Sequence, residues 1–113
     1  VPAPERMSTV YVFRAKTIEA ANPMVKINDK PFVRLTVMGY SYARVPPGIH
    51  RVNFDYGGFE GSFISEVEVK EGKDLYLLYS GNGAGHQLTE VPPEKSLDVF
   101  KDYRYVEPVH AQF

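Results

Sequence analysis

From His50 to Tyr56 the side chains alternate without a break. His50, Val52, Phe54 and Tyr56 fall on one side, and Arg51, Asn53 and Asp55 on the other. A period of two belongs to the β-strand, and one apolar face with one polar face marks a strand half-buried in an antiparallel sheet. The run is introduced by Val45-Pro46-Pro47-Gly48. The prolines restrict the backbone ahead of the strand, and the glycine supplies the angle that the reversal needs. His50 then enters the sheet as a strand residue with a hydrogen-bond partner of its own.

The same pattern recurs at intervals of roughly ten residues along the chain. In Ser8 to Lys16, Val10 and Val12 lie opposite Tyr11 and Phe13, so both faces are apolar, as a sandwiched strand requires. Ile18 to Pro23 breaks the pattern and reads as a loop. Met24 to Met38 reads as a hairpin turning at Asn28-Asp29-Lys30, with Val33, Leu35 and Val37 inward and Arg34 and Thr36 outward. Tyr40 and Tyr42 share a face. Phe63, Val67 and Val69 alternate with Glu66, Glu68 and Lys70; after the Glu71-Gly72-Lys73 turn, Leu75, Leu77 and Tyr79 oppose Tyr76 and Leu78. Ser80 to Gln87 is glycine-rich and reads as a surface loop. Pro92 to Tyr103 reads as a short helix with Pro93 in its first turn, Glu94 at the positive end of its dipole, and Leu97, Phe100 and Tyr103 on one face. Arg104 to Val109 reads as a last extended piece on a sheet edge, ended by Pro108. Six to eight short strands and one appended helix predict an all-β fold. The expected architecture is an antiparallel β-sandwich, transthyretin-like or immunoglobulin-like, with a short C-terminal helix. Residues 1–8 read as a lead-in, 9–107 as the single domain and 108–113 as a tail.

Charge and composition narrow the partners. Thirteen basic and fourteen acidic residues give a net charge of -1, without a basic run, so no nucleic-acid partner is indicated. The chain has no cysteine, which excludes disulfides and thiolate chemistry. No apolar stretch approaches the about 18 residues of a membrane span. The opening Val-Pro-Ala-Pro-Glu-Arg lacks an initiator methionine and is read as the remainder of a chain whose signal or lipid-anchoring segment was removed.

Thr9 to Lys16, the Ile27 to Pro31 hairpin, Gly39-Tyr40-Ser41-Tyr42, Pro46-Pro47-Gly48-Ile49-His50 and Val67 to Tyr79 occur in an order that resembles the DUF2846-type domains of bacterial envelope proteins and lipoproteins. The resemblance covers roughly Thr9 to Tyr79 and the later Glu94 to Phe100. Asp29-Lys30 lacks the glycine usual in that family's hairpin, and Ile49 stands where lysine is common. The Pro-Pro-Gly half is shared with PEGA-type and other transthyretin-like sandwiches. The resemblance implies a sandwich fold and a place in the periplasm or cell envelope. It brings no catalytic residues.

Chemistry-bearing residues are sparse. Gly81, Gly83 and Gly85 followed by His86 suggest a backbone nest for an anion. The stretch has neither the lysine of a phosphate loop nor a helix after it, which favours a plain surface loop. His50, His86 and His110 lack metal-site spacing, so neither metal nor cofactor is expected. Ser41, Ser62, Ser65, Ser80 and Ser96 lie outside any nucleophile elbow. Among Asp55, Glu60, Glu66 and Glu68, the last two share a face, as solvated strand residues do. Tyrosines are the best binding candidates: Tyr40, Tyr42, Tyr56, Tyr76, Tyr103 and Tyr105, with Phe59, exceed what one small core needs. The simpler expectation is that most pack between the sheets and under the helix. The leading expectation is a non-enzymatic envelope interaction domain that recognises a protein partner by a face or an edge strand. The alternative is a module for a glycan, cell-wall or small ligand using Tyr40, Tyr42, Gly83, Gly85, His86, Tyr103 and Tyr105. A hydrolase is third.

Overall fold

The computed structural model describes residues 7–17, 21–57, 61–82 and 85–113. Among these residues nine strands and one helix follow in chain order: β1 (Ser8–Arg14), β2 (Met24–Ile27), β3 (Lys30–Arg34), β4 (Gly39–Val45), β5 (Gly48–Gly57), β6 (Gly61–Val69), β7 (Leu75–Asn82), β8 (Gly85–Glu90), α1 (Pro93–Phe100) and β9 (Arg104–Tyr105). They form a sandwich of a five-stranded sheet, β8-β7-β1-β4-β9, and a four-stranded sheet, β3-β2-β5-β6. The all-β sandwich with a short C-terminal helix is therefore the fold. Most pairings are antiparallel, but β1–β7 and β4–β9 run parallel.

Alternation decides what meets between the sheets. Val10 and Val12 of β1, Val52 and Phe54 of β5 and Leu77 and Tyr79 of β7 all turn inward, joined by Val25, Ile27, Phe32, Val33 and Leu35. The β2–β3 turn has Asn28 and Asp29 both at positive φ, 51° and 68°. Asn and Asp tolerate that region, so the hairpin closes without a glycine. Asn28 also ties the turn to β5: its Oδ1 accepts from the Arg51 N–H at 2.9 Å, and its Nδ2 lies 2.8 Å from His50 Nδ1. His50 Nε2 is 2.7 Å from the Pro46 carbonyl, which only accepts, so Nε2 carries the proton and Nδ1 accepts from Asn28. Both ring nitrogens of this buried histidine serve the fold. Gly48, at φ 132°, makes the reversal that the Pro-Pro-Gly stretch predicts.

Several local expectations are corrected. The longer strand of the first hairpin ends at Arg34, and a register shift between Val25 and Lys26 lets both Phe32 and Val33 point into the core. Of the stretch read as a surface loop, residues 80–82 and 85–87 are strand: β7 runs on to Asn82 and β8 begins at Gly85, with Ser80 opposite Gln87 and Gly81 opposite His86. Helix α1 buries Ser96 and Phe100, whereas Leu97 is 84% exposed. The final segment is bound rather than trailing: Val109 N–H reaches the Phe32 carbonyl at 2.7 Å, Arg44 N–H the Ala111 carbonyl at 2.8 Å and Phe113 N–H the Arg44 carbonyl at 2.8 Å. It laces β3 of one sheet to β4 of the other.

Arg14, at the end of β1, is 1% exposed. Its guanidinium donates to Asn22 Oδ1 (2.8 Å), the Leu35 carbonyl (3.0 Å) and the Ala21 carbonyl (2.8 Å). A planar fork with five donors suits three converging acceptors, so this cation acts as a clamp between β1 and the two segments that flank the first hairpin.

Candidate functional site

Two features stand out, one on each face of the five-stranded sheet. On the outer face β1 and β4 place Tyr11 opposite Tyr42 and Phe13 opposite Tyr40, while β1 and β7 place Tyr11 beside Tyr76. Tyr76, Tyr11, Tyr42 and Tyr105 thus form a row across four strands, with centroid spacings of 4.7, 5.4 and 5.6 Å. Helix α1 covers one end of this face, its Phe100 stacked on Phe13 at 3.5 Å and Tyr103 edge-on to Phe13 at 5.5 Å. Burial pushes the phenols of Tyr11 and Tyr103 above their ordinary pKa, and at Tyr11 the neighbouring Tyr76 and Asp74 add to the shift.

Of the candidate tyrosines, Tyr40, Tyr42, Tyr76, Tyr103 and Tyr105 come together here, outside the sandwich rather than between its sheets. Only Tyr79, with Tyr56 packed beside it, serves the inter-sheet core. Tyr11 and Tyr76 lie within 7° of parallel, face to face. Rings that cover each other's faces do not offer those faces to a sugar, so the row is a packed ladder with half-open edges. Tyr42 and Tyr105, 42% and 49% exposed, are its open end.

His86 and Gly85 do not join this group. His86 lies on the inner face, where its Nδ1 is 2.7 Å from the Tyr79 hydroxyl, which in turn is 2.8 Å from the Tyr56 hydroxyl. The imidazole also stacks near Phe63, at 5.5 Å. Gly83, Phe59 and Glu60 lie outside the described residues. Asp55 is bound to Lys26 at 3.1 Å; that hydrogen bond first, and the Gly57 N–H second, hold its carboxyl below the ordinary range. Ser96 donates to the Pro93 carbonyl within its own helix. Among the described residues no three His, Asp or Glu side chains converge as a metal site.

The second feature is a cleft of about 850 Å³ where the two sheets part at one side. Its walls are β6, an edge of the four-stranded sheet, and β7–β8, an edge of the five-stranded sheet. Val67, Leu75, Leu77 and Leu88 line its floor, and Glu66, Glu68, Lys70, Lys73, Asp74 and Glu90 its rim. On β5 the inward His50, Val52 and Phe54 are buried, but on β6 the matching Val67, Ser65 and Phe63 are only half-buried. Among the described residues the sheet has no further strand there. Sequence reasoning saw Val67, Leu77, Glu66 and Glu68 as strand residues but did not bring them together with Leu88; the local signal was the alternation of β6. Which strand ends at an edge is a property of the whole topology. No family model matches this chain, and neither a curated protein nor a solved structure matches it.

Proposed function

We propose that this domain is a non-enzymatic interaction module of the bacterial envelope that recognises a protein partner along the open side of its sandwich. One observation carries the reading: the cleft between β6 and β7–β8, with an apolar floor and a charged rim. Large concavities with a few polar groups at the margin are where proteins take ligands. Here two strand edges that no strand pairs among the described residues border the cleft, which suits polypeptide better than a small molecule. The rim carboxylates Glu66, Glu68, Asp74 and Glu90 are all exposed, as charges on a solvated face are. The place in the envelope rests on the resemblance of Thr9 to Tyr79 to DUF2846-type domains.

The test is a pull-down from bacterial envelope extract with the purified domain, washed with soluble glycans and peptidoglycan fragments. The bait is compared with Leu88→Lys, a change at a half-buried edge position, after circular dichroism shows that the variant is folded. A protein that survives the washes and is lost from the variant supports the reading. Elution by glycan, or retention of cell-wall material alone, overturns it and turns attention to Tyr42 and Tyr105.

A further inference from the structure

We propose that the cleft receives an extended peptide that adds a fifth strand to the free edge of β6, with apolar side chains over Val67 and Leu88 alternating with lysine or arginine beside Glu66 and Glu68. This rests on the reading of the cleft as the recognition site, and names the chemistry of what enters it.

Backbone comes first. β6 has nine residues, Gly61–Val69, and pairs with β5 along one edge; among the described residues no strand pairs with the other. In an antiparallel ladder alternate residues turn their N–H and C=O outward, so about four residues of β6 offer both groups to a newcomer. Strand edges are ordinarily blunted by proline, by inward charges or by cover. β6 has no proline, and its inward residues are Phe63, Ser65 and Val67. The opposite side of the sandwich shows what cover looks like in this chain: the C-terminal segment bonds to Phe32 of β3, and β9 pairs with β4. Among the described residues β6 has no equivalent.

Side chains then fix the chemistry. A strand beside β6 turns alternate residues into the cleft, against Val67 and against Leu88 on the facing sheet, both half-buried until something covers them. Its other residues lie on the outer face beside Glu66 and Glu68, both exposed, with only Arg51 across from Glu66 on β5 and the apolar Ile49 across from Glu68. Cross-strand pairs of opposite charge are each favourable by about 0.2–1 kcal/mol, and like charges are unfavourable. A cation at both positions meets that demand. A second copy of this chain does not: antiparallel joining of two β6 strands puts Glu66 and Glu68 of both copies on one face of the continuous sheet. Just past the end of β6, Lys70 and Lys73 stand on the rim, which confines the cationic residues to the stretch facing Glu66 and Glu68.

The experiment measures binding of nine-residue peptides to the domain and to Glu66→Lys/Glu68→Lys by fluorescence anisotropy. One peptide alternates valine with lysine, a second alternates valine with glutamate, and a third is the lysine peptide N-methylated on the backbone edge that would pair. The expected result is a preference of about ten-fold for lysine over glutamate in the natural domain, from two charge pairs. The preference inverts in the double variant, and N-methylation abolishes binding. Both substituted positions are exposed, so the variant keeps its fold. Equal binding of the lysine and glutamate peptides, or unchanged binding of the N-methylated one, overturns the proposal. So does self-association that the double variant relieves, since the occupant is then a second copy. If the peptides fail while a partner is still lost on Leu88→Lys, the strand chemistry falls and the interaction reading stands. If both fail, both fall.

Discussion

Replacing Gly81 by alanine tests whether the glycine-rich hairpin is a built element held under the Tyr79 ring. Gly81 lies outside the left-handed backbone region, so the cost is steric rather than conformational. A Cβ there would stand 2.5 Å from Tyr79 Oη, 2.8 Å from His86 Nδ1 and 2.9 Å from Tyr79 Cζ. No ordinary packing contact is that near, so something must shift. Tyr79 is fully buried and stacked on Phe54 at 3.9 Å, which leaves it little room; His86 is exposed and turns away cheaply. Overpacking of this kind costs about 1–3 kcal/mol. Displacing the Tyr79 hydroxyl from Tyr56 and His86 costs about 1 kcal/mol more. Gly81→Ala is therefore expected to destabilise by about 2–4 kcal/mol. Tyr79→Phe should cost only about 1 kcal/mol, because the polar groups it leaves behind reach water. The double variant decides the matter. Without Oη the shortest contact is gone, so its loss should fall short of the summed single losses by about 1 kcal/mol. Urea unfolding followed by circular dichroism measures all three against the parent, with an unchanged m-value as the check that the denatured state is comparable. Additivity within about 0.5 kcal/mol would refute the reasoning and return the stretch to an unstructured loop.

Phe100→Ala removes the ring stacked on Phe13 and should cost about 3–4 kcal/mol by the same assay, whereas Leu97→Ala should stay within about 0.5 kcal/mol. Arg14→Lys keeps the charge but loses the fork that meets three converging acceptors, of which the Leu35 carbonyl is the buried one, and a loss of about 1–3 kcal/mol is expected in urea unfolding. For Asp55 the folded pKa is lowered, so its contribution is present above the ordinary carboxylate pKa and is lost as pH falls through the folded value. Stability measured below about pH 4 should therefore depend less on pH in Asp55→Asn than in the parent.

Strand β5 was fully legible because its pattern is local: a constrained turn, then an unbroken period of two. β1, β6 and β7 were legible as strands for the same reason, and at β6 the alternation also gave Phe63, Val67 and Val69 as the inward side; β1 and β7 are apolar on both faces, so alternation alone left their inward side open. The glycine-rich hairpin was not, because glycines predict a loop unless a ring from elsewhere supplies the contacts they lack. Here Tyr79, two residues back on the same face, supplies them. The helix was found but its buried face was misread. With about 100° per residue, Ser96 lies on one side of Phe100 and Leu97 on the other, and Tyr103 lies beyond the helix end at Phe100. Hydrophobicity favoured Leu97, while the Phe13 and Tyr103 contacts roll the helix toward Ser96. The tyrosine ladder depends on the register that sets Tyr11 against Tyr42 and Tyr76, and register between distant strands leaves no mark in any one segment. The cleft depends on strand order, so its walls could be named from the alternation but not assembled.

The two sides of the sandwich differ, and the C-terminal segment is the reason. After β9, Val106 N–H bonds to the Tyr40 carbonyl; the chain then crosses to Phe32 of β3 and returns to Arg44 of β4. The Phe113 ring ends it, edge-on to Phe32 at 5.9 Å. If this lace is what distinguishes the closed side from the open one, deleting residues 109–113 should bare the β3 edge as β6 is bare. The deletion removes a half-buried phenylalanine, worth about 1–2 kcal/mol, and the backbone bonds that hold it, worth about 1 kcal/mol. A loss of about 2–3 kcal/mol in urea unfolding is expected, with self-association beyond that of the full chain in sedimentation. Phe113→Ala separates the two effects, because it should cost about 1–2 kcal/mol and leave the backbone lace, and hence the association state, unchanged. A deletion that is destabilised but associates no more than the full chain would mean that β3 is too short to act as an edge. The asymmetry would then lie in the length of β6, nine residues against five, rather than in the cover on its counterpart.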